Sequence, residues 1–165
     1  MENKTKITKS ANRMVVLRNF DAPVPQVWRA WTDSELLDQW WAPKPYKART
    51  QIMNFIEGGF WHYAMVGPET EEMWARFDYQ SICVHDYFKG KDSFCDADGV
   101  KNEDDFPGMD WTNTFIESGE GTQVRVEITF KSEIDMEKIA KMGFIEGFTA
   151  AHQNLDHLLK SGAVR

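Results

Sequence analysis

The chain has 165 residues and a formal net charge of −7, from 26 acidic and 19 basic side chains. A chain of this length can bury roughly 70% of its unfolded surface. We therefore expect residues 1–12 to form a flexible N-terminal tail and residues 13–162 to form a single domain. The acidic balance argues against nucleic acid and anionic membranes as partners, because both need clustered positive charge.

The N-terminal sequence is polar and lacks the apolar run of a signal peptide. No apolar stretch approaches the length of a membrane span, so we expect no membrane insertion. Cys83 and Cys95 are the only cysteines. Without an export signal, they are expected to be reduced and mostly buried. The predicted location is cytoplasmic.

The first predicted elements are one strand and two short tryptophan-rich helices. Met14–Phe20 alternates loosely between apolar and polar residues, as a strand does. Pro23 and Pro25 end the strand, and Pro25 is suited to the first turn of a helix. Thr32–Ser34 offers N-caps for the second helix. The apolar positions of the two helices are Val27, Trp28, Ala30, Trp31, Leu36, Leu37, Trp40 and Trp41.

Residues 46–130 are predicted to be strands and turns. Gly58-Gly59 and Ser118–Gly121 are strong hairpin signals. The last strand places its apolar residues on one face and polar residues on the other, which is typical of an antiparallel sheet with one dry face. The six predicted strands lie near residues 48–56, 60–66, 74–84, 87–95, 109–117 and 122–131.

A long final helix is predicted from Ser132 to about Lys160, with Asp135 as the capping-box partner of Ser132. Its apolar stripe comprises Phe144, Phe148, Ala151, Leu155 and Leu159. The predicted fold is α+β with the order β-α-α-β6-α. In this helix-grip arrangement, a curved antiparallel sheet wraps around the long C-terminal helix.

The sequence resembles the SRPBCC (START-like, helix-grip) superfamily from about Val15 to Leu159. Within it, the chain is similar to the activator of heat-shock protein 90 ATPase homologue-like group. Helix-grip proteins include lipid carriers, cyclases, co-chaperone modules and sensors, so the resemblance implies a fold and leaves several functions open. The motifs that carry it are Phe20–Pro23, Val27–Asp33, Gln39–Pro43, Gly58-Gly59 with Trp61, Tyr63 and Met65, Phe94–Gly99, Thr114-Phe115, Gly121-Thr122 and Gly147-Phe148.

Two departures from the family pattern bear on function. The eukaryotic co-chaperone carries an additional N-terminal domain for which this chain has no room, which argues against chaperone activation. Phe148 and His152 stand where the family usually has Trp and an aliphatic residue. His152 falls about 40° from Phe148 on the helical wheel, so it remains on the apolar side.

The candidate ligand-binding residues would line the space between the sheet and the last helix. Either their rings fill that space, or they leave an apolar pocket with a few polar tips. His152 is either a neutral core histidine or a group that orients the ligand. The candidates are Trp41, Trp61, Tyr63, Phe77, Tyr79, Trp111, Phe144, Phe148 and His152.

The sequence predicts no metal, no cofactor and no catalytic residues. His152 and His157 are five residues apart, which is the wrong spacing for two ligands on one helical face. Asp96–Gly99 is interpreted as an acidic turn, because a calcium loop would place Phe94 at a position that requires a carboxylate. No nucleophile elbow and no phosphate-binding glycine loop is present.

Three functional hypotheses follow. The first is non-catalytic binding of a small hydrophobic or amphipathic molecule between sheet and helix. The second is a protein-interaction module for a chaperone or client protein, which an exposed patch of Trp28, Trp31, Trp40 or Trp41 would favour. The third is an enzyme of the cyclase or dehydratase type, which requires His152 near a polar group inside an open cavity.

Overall fold

The computed structural model describes residues 3–165, which form eight strands and four helices. In chain order the elements are β1 (Lys6–Ser10), β2 (Arg13–Phe20), α1 (Val24–Thr32), α2 (Ser34–Trp40), β3 (Lys47–Met53), β4 (Phe60–Val66), β5 (Glu72–Cys83), β6 (Tyr87–Phe94), β7 (Met109–Ser118), β8 (Gly121–Thr129), α3 (Glu133–Lys141) and α4 (Phe144–Lys160).

All eight strands form one curved antiparallel sheet in the order β1-β2-β8-β7-β6-β5-β4-β3. The helices α1 and α2 connect β2 to β3, and α3 and α4 follow β8. Helix α4 contributes Phe148, Ala151 and Leu155 to the same core as the inward-facing residues of the sheet. The α+β helix-grip prediction is confirmed.

The inner face of the sheet follows the predicted alternation. On β8, Val124, Val126 and Ile128 are at most 1% exposed, whereas the residues between them are partly accessible. Residues paired across antiparallel strands share a face, so the register places Trp111 of β7 beside Ile128 of β8 and Gly90 of β6. This register carries the apolar face from β8 across the centre of the sheet.

The strand β1 differs from the predicted tail. Lys6–Ser10 pairs antiparallel with β2, from Lys6 opposite Leu17 to Ser10 opposite Arg13. The segment has one apolar residue in five, Ile7, so periodicity gave no sign of a strand. Backbone hydrogen bonds to β2 hold this edge of the sheet. Residues 1–2 of the predicted tail lie outside the described residues.

The predicted single final helix is wrong, because the chain turns between Lys141 and Phe144. The predicted cap is present: the Ser132 hydroxyl accepts a hydrogen bond from the Asp135 backbone N–H at 3.1 Å. Helix α3 then ends at Lys141, and Gly143 adopts φ +93° before α4 begins. A side chain at this φ is strained, so glycine permits the break.

The tryptophans of α1 and α2 belong to the core. Trp28, Trp31 and Trp40 are 6%, 3% and 0% exposed. The Trp40 indole Nε1 donates a hydrogen bond to the Ala30 carbonyl at 2.9 Å, and its ring centroid lies 5.0 Å from that of Trp31. These contacts join the two short helices to each other and to the core below them.

Replacing Trp40 with alanine should lower the free energy of unfolding by about 3–5 kcal/mol, because it removes a buried ring and leaves a cavity. Trp40→Phe is the control, since it keeps an aromatic ring and loses only the hydrogen bond and part of the volume; its loss should be smaller. Denaturant unfolding monitored by circular dichroism measures both. A loss below about 1 kcal/mol for Trp40→Ala would contradict the burial of this ring.

Candidate functional site

A cavity of about 290 Å³ lies between the inner face of the sheet and the junction of α3 and α4. Its surface is mainly aromatic and methionine side chains. The sheet side is lined by Tyr63, Met65, Met73, Ala75, Asp92, Ser93, Phe94, Met109 and Trp111, and the opposite side by Trp41, Pro43, Tyr46, Ile139, Met142, Gly143, Phe144, Gly147 and Phe148.

Two methionines flank the opening of the cavity. Met73 on β5 and Met142 after α3 both line it, and each is 48% exposed. The break at Gly143 lies beside Met142, so the change of direction between α3 and α4 forms one side of the opening. Methionine side chains are flexible and polarisable, which suits an opening that must adapt its shape.

The aromatic wall is held in place by ring contacts and one side-chain hydrogen bond. The Trp41 indole N–H donates to the Tyr63 hydroxyl at 3.0 Å. The Phe148 ring lies 5.7 Å from both Trp41 and Trp111, and 5.4 Å from Phe144. These four rings and Tyr63 therefore define a cage whose inner surfaces face the cavity.

Five of the predicted site residues line the cavity, namely Trp41, Tyr63, Trp111, Phe144 and Phe148. Trp61, Phe77 and Tyr79 lie behind it and line a separate void of about 20 Å³, together with Asn113. Asn113 is 1% exposed, and its Oδ1 has no hydrogen-bond partner in the described part of the chain. This void has room for a group the size of one water molecule.

The structure places His152 outside the cavity lining. Its ring is almost completely buried against Phe20, Trp31 and Phe148. Its Nδ1 lies 2.9 Å from the Thr5 hydroxyl, and Nε2 has no partner among residues 3–165. Burial, and secondarily the Arg18 charge, lowers the pKa of His152 to about 3, so the imidazole is neutral in the folded protein.

Asp92 lines the cavity and was not among the predicted site residues. It pairs with Phe77 of β5 and Met109 of β7, both of which point into the core, so its side chain points inward as well. The signal in the sequence was its spacing of two and four residues from Phe94 and Phe88. As an acidic residue it interrupts the apolar series on that face, so the pattern did not identify it.

The Asp92 side chain is partly buried and lines the cavity. Burial, followed by the negative charge of Asp78, raises its pKa to about 7. Within residues 3–165 it has no hydrogen-bond or ion-pair partner. Burial and the nearby Asp92 charge also raise the pKa of Tyr63, although the hydrogen bond from Trp41 acts in the opposite direction.

Two further observations concern the whole described region. Within residues 3–165, no three His, Cys, Asp or Glu side chains are grouped so that they could hold a metal ion. No helix in the same range is long and apolar enough to cross a bilayer.

The model of the family "Activator of Hsp90 ATPase homolog 1-like protein" matches residues 21–160. No curated protein matches the sequence. A solution structure of a protein from Arthrobacter aurescens is 28% identical, with a TM-score of 0.88 over 94% of this chain and 91% of that one. A protein from Staphylococcus epidermidis is also 28% identical, with a TM-score of 0.84 over 95% and 94% of the two chains.

A crystal structure of a protein from Mycobacterium smegmatis is 24% identical, with a TM-score of 0.87 over 95% of this chain and 98% of that one. At this identity the likeness shows the fold alone. The folds of all three proteins match that of this chain along nearly its whole length.

The buried His152 should make the protein less stable in acid. Between pH 6.5 and about 3 the unfolded chain binds a proton at His152 and the folded protein does not, so stability falls as the pH falls. His152→Leu should remove this loss, which amounts to at most about 1.4 kcal/mol per pH unit. Urea unfolding at pH 6 and pH 4.5 measures the difference.

His157→Gln is the control, because it removes an exposed histidine from the same helix. Over part of this range the raised pKa of Asp92 makes the folded protein more stable as the pH falls. The change in the free energy of unfolding between the two pH values is therefore compared between each variant and the parent protein. Equal pH dependence in the parent protein and in His152→Leu would mean that the folded protein protonates His152 readily.

Proposed function

We propose that this chain, which belongs to the family of Activator of Hsp90 ATPase homolog 1-like proteins, binds a small hydrophobic or amphipathic molecule without catalysing a reaction. The observation that carries the proposal is the cavity of about 290 Å³ between the sheet and the α3–α4 junction. Its aromatic and methionine lining is typical of sites that bind apolar ligands.

The size of the cavity limits the size of the ligand. A protein cavity of about 150 Å³ accommodates one benzene molecule. A space of about 290 Å³ therefore suits a ligand of roughly two rings or a chain of similar volume. Movement of Met73 and Met142 at the opening would admit a somewhat larger molecule.

Burial of the tryptophans favours ligand binding over the protein-interaction hypothesis. An exposed tryptophan patch would have favoured that hypothesis, but Trp28, Trp31 and Trp40 are in the core and Trp41 forms part of the cavity. The most exposed large apolar residues are Ile134, Val84 and Val100, on α3, a turn and a loop respectively. A chaperone or client protein as partner is supported by the name of the family alone.

The arrangement of ionisable groups favours binding over catalysis. The enzyme hypothesis depends on His152, which does not line the cavity. Asp92 and Tyr63 do line it, but they form no hydrogen-bonded pair that would pass a proton between them. The cytoplasmic location stays a prediction.

An apolar dye should bind the folded protein in a one-to-one ratio. Prodan, a neutral naphthalene dye whose emission depends on polarity, should shift to shorter wavelength and quench the fluorescence of nearby tryptophans such as Trp41 and Trp111. Phe148→Trp should weaken binding at least about tenfold, or about 1.4 kcal/mol, because the larger ring occupies cavity volume. Fluorescence titration gives the dissociation constants.

The matched control is Phe60→Trp, the same substitution at a position that does not line the cavity. Phe60 instead packs against the Arg76 guanidinium, whose carbon lies 4.4 Å from the ring centroid. This variant should bind prodan as the parent protein does. Equal affinities for the parent protein and Phe148→Trp would contradict ligand binding in this cavity.

A further inference from the structure

Among residues 3–165, Asp92 is the one acidic or basic residue that lines the cavity. No lysine, arginine or histidine of this range lines it. Two other carboxylates on the sheet are paired: Asp78 contacts Arg76 and Lys101, and Glu127 contacts Arg13 and Arg125. A carboxylate removed from water without a compensating partner is costly, so a molecule that supplies a partner would gain affinity at this position.

The surroundings of Asp92 favour a positively charged partner. Trp41, Tyr63, Trp111 and Phe148 line the same cavity, and their ring contacts hold them in fixed orientations. Cations are attracted to the faces of aromatic rings, most strongly to tryptophan and when water is excluded. A cavity lined by a carboxylate and two indole rings therefore matches an ammonium group attached to an apolar body.

The same arrangement disfavours an anionic ligand. A ligand carboxylate would approach Asp92 without a cation among the lining residues to compensate either charge. The protein as a whole carries a net charge of −7, which also repels anions and attracts cations over longer distances.

We infer that the ligand is an amphipathic amine, with its ammonium group bound by the Asp92 carboxylate and its apolar body held between the rings of Trp41, Trp111 and Phe148. The inference builds on the proposed function and specifies the chemical class of ligand. Asp92 determines which polar group is accepted, whereas the cavity determines the size of the apolar part.

The ionisation of Asp92 provides a second readout. Its pKa of about 7 means that the carboxylate is mostly charged at pH 8 and mostly neutral at pH 6. The titratable groups around it or in the same cavity are Tyr46 before β3, Tyr63 on β4, Asp78 and Tyr79 on β5, and Cys95 after β6. Helices α3 and α4 contribute no ionisable side chain to the cavity. Amine affinity should therefore fall as the pH falls from 8 to 6.

Three probes of nearly equal shape test the inference: naphthylmethylamine, naphthylmethanol and naphthoate. At pH 8 the amine should bind the wild-type protein at least about tenfold more tightly than the alcohol, and naphthoate should bind most weakly. Asp92→Asn should reduce amine affinity to that of the alcohol. Competition with bound prodan, followed by its fluorescence, gives the dissociation constants of all three probes for each protein.

Asp110→Asn is the matched control. Asp110 lies on β7 next to Met109, the cross-strand partner of Asp92, but its side chain is exposed on the outer face of the sheet. The variant removes the same charge from the protein and should retain the amine preference. This control separates a local contact with Asp92 from a general effect of net charge.

Equal binding of amine and alcohol to the wild-type protein, or an amine preference that survives in Asp92→Asn, would overturn the inference while leaving the cavity as a binding site. If neither prodan nor any probe binds, the proposed function fails and the inference fails with it. The wild-type comparison and its pH dependence decide the question even if Asp92→Asn does not fold.

Discussion

The packing of α4 against the inner face of the sheet positions every other feature of this protein. The C-terminal half of the helix belongs to the core: Ala151 and Leu155 are fully buried, and Arg18 of β2 forms a bidentate ion pair with Asp156. The N-terminal half, from Phe144 to Phe148, lies over the cavity. One helix therefore closes the core at one end and leaves usable space at the other.

The break at Gly143 sets the point at which α4 begins. A continuous helix from residue 133 to 160 would keep one axis, whereas the turn lets α3 and α4 take different directions. Gly147 lies close to Pro43, because a Cβ at position 147 would be 3.4 Å from the Pro43 Cγ. The chain thus uses one glycine to redirect the backbone and another to bring the helix near the segment after α2, while Phe144 and Phe148 remain over the sheet.

The sequence could predict the features that depend on the periodic spacing of apolar residues. Alternation on β8 and the aromatic positions of α1 and α2 follow from periods of two and 3.6 residues, and the structure has them. The strand β1 could not be predicted, because it is held mainly by backbone hydrogen bonds to β2. Five aromatic residues of the cavity were predicted from the apolar faces of the strands and helices, but Asp92 was missed because it breaks the apolar pattern of β6.

Arg18 and Asp92 are both charged residues that point inward from the sheet, but within residues 3–165 only Arg18 has a partner of opposite charge. The Arg18 guanidinium meets the Asp156 carboxylate and the Asn19 carbonyl, so its charge is matched by the protein itself. Asp92 has no such partner within residues 3–165, and it faces open volume. The Arg18–Asp156 ion pair can be explained by its role in the fold, since it connects α4 to β2. An unpaired interior charge weakens the folded state and is better explained by binding.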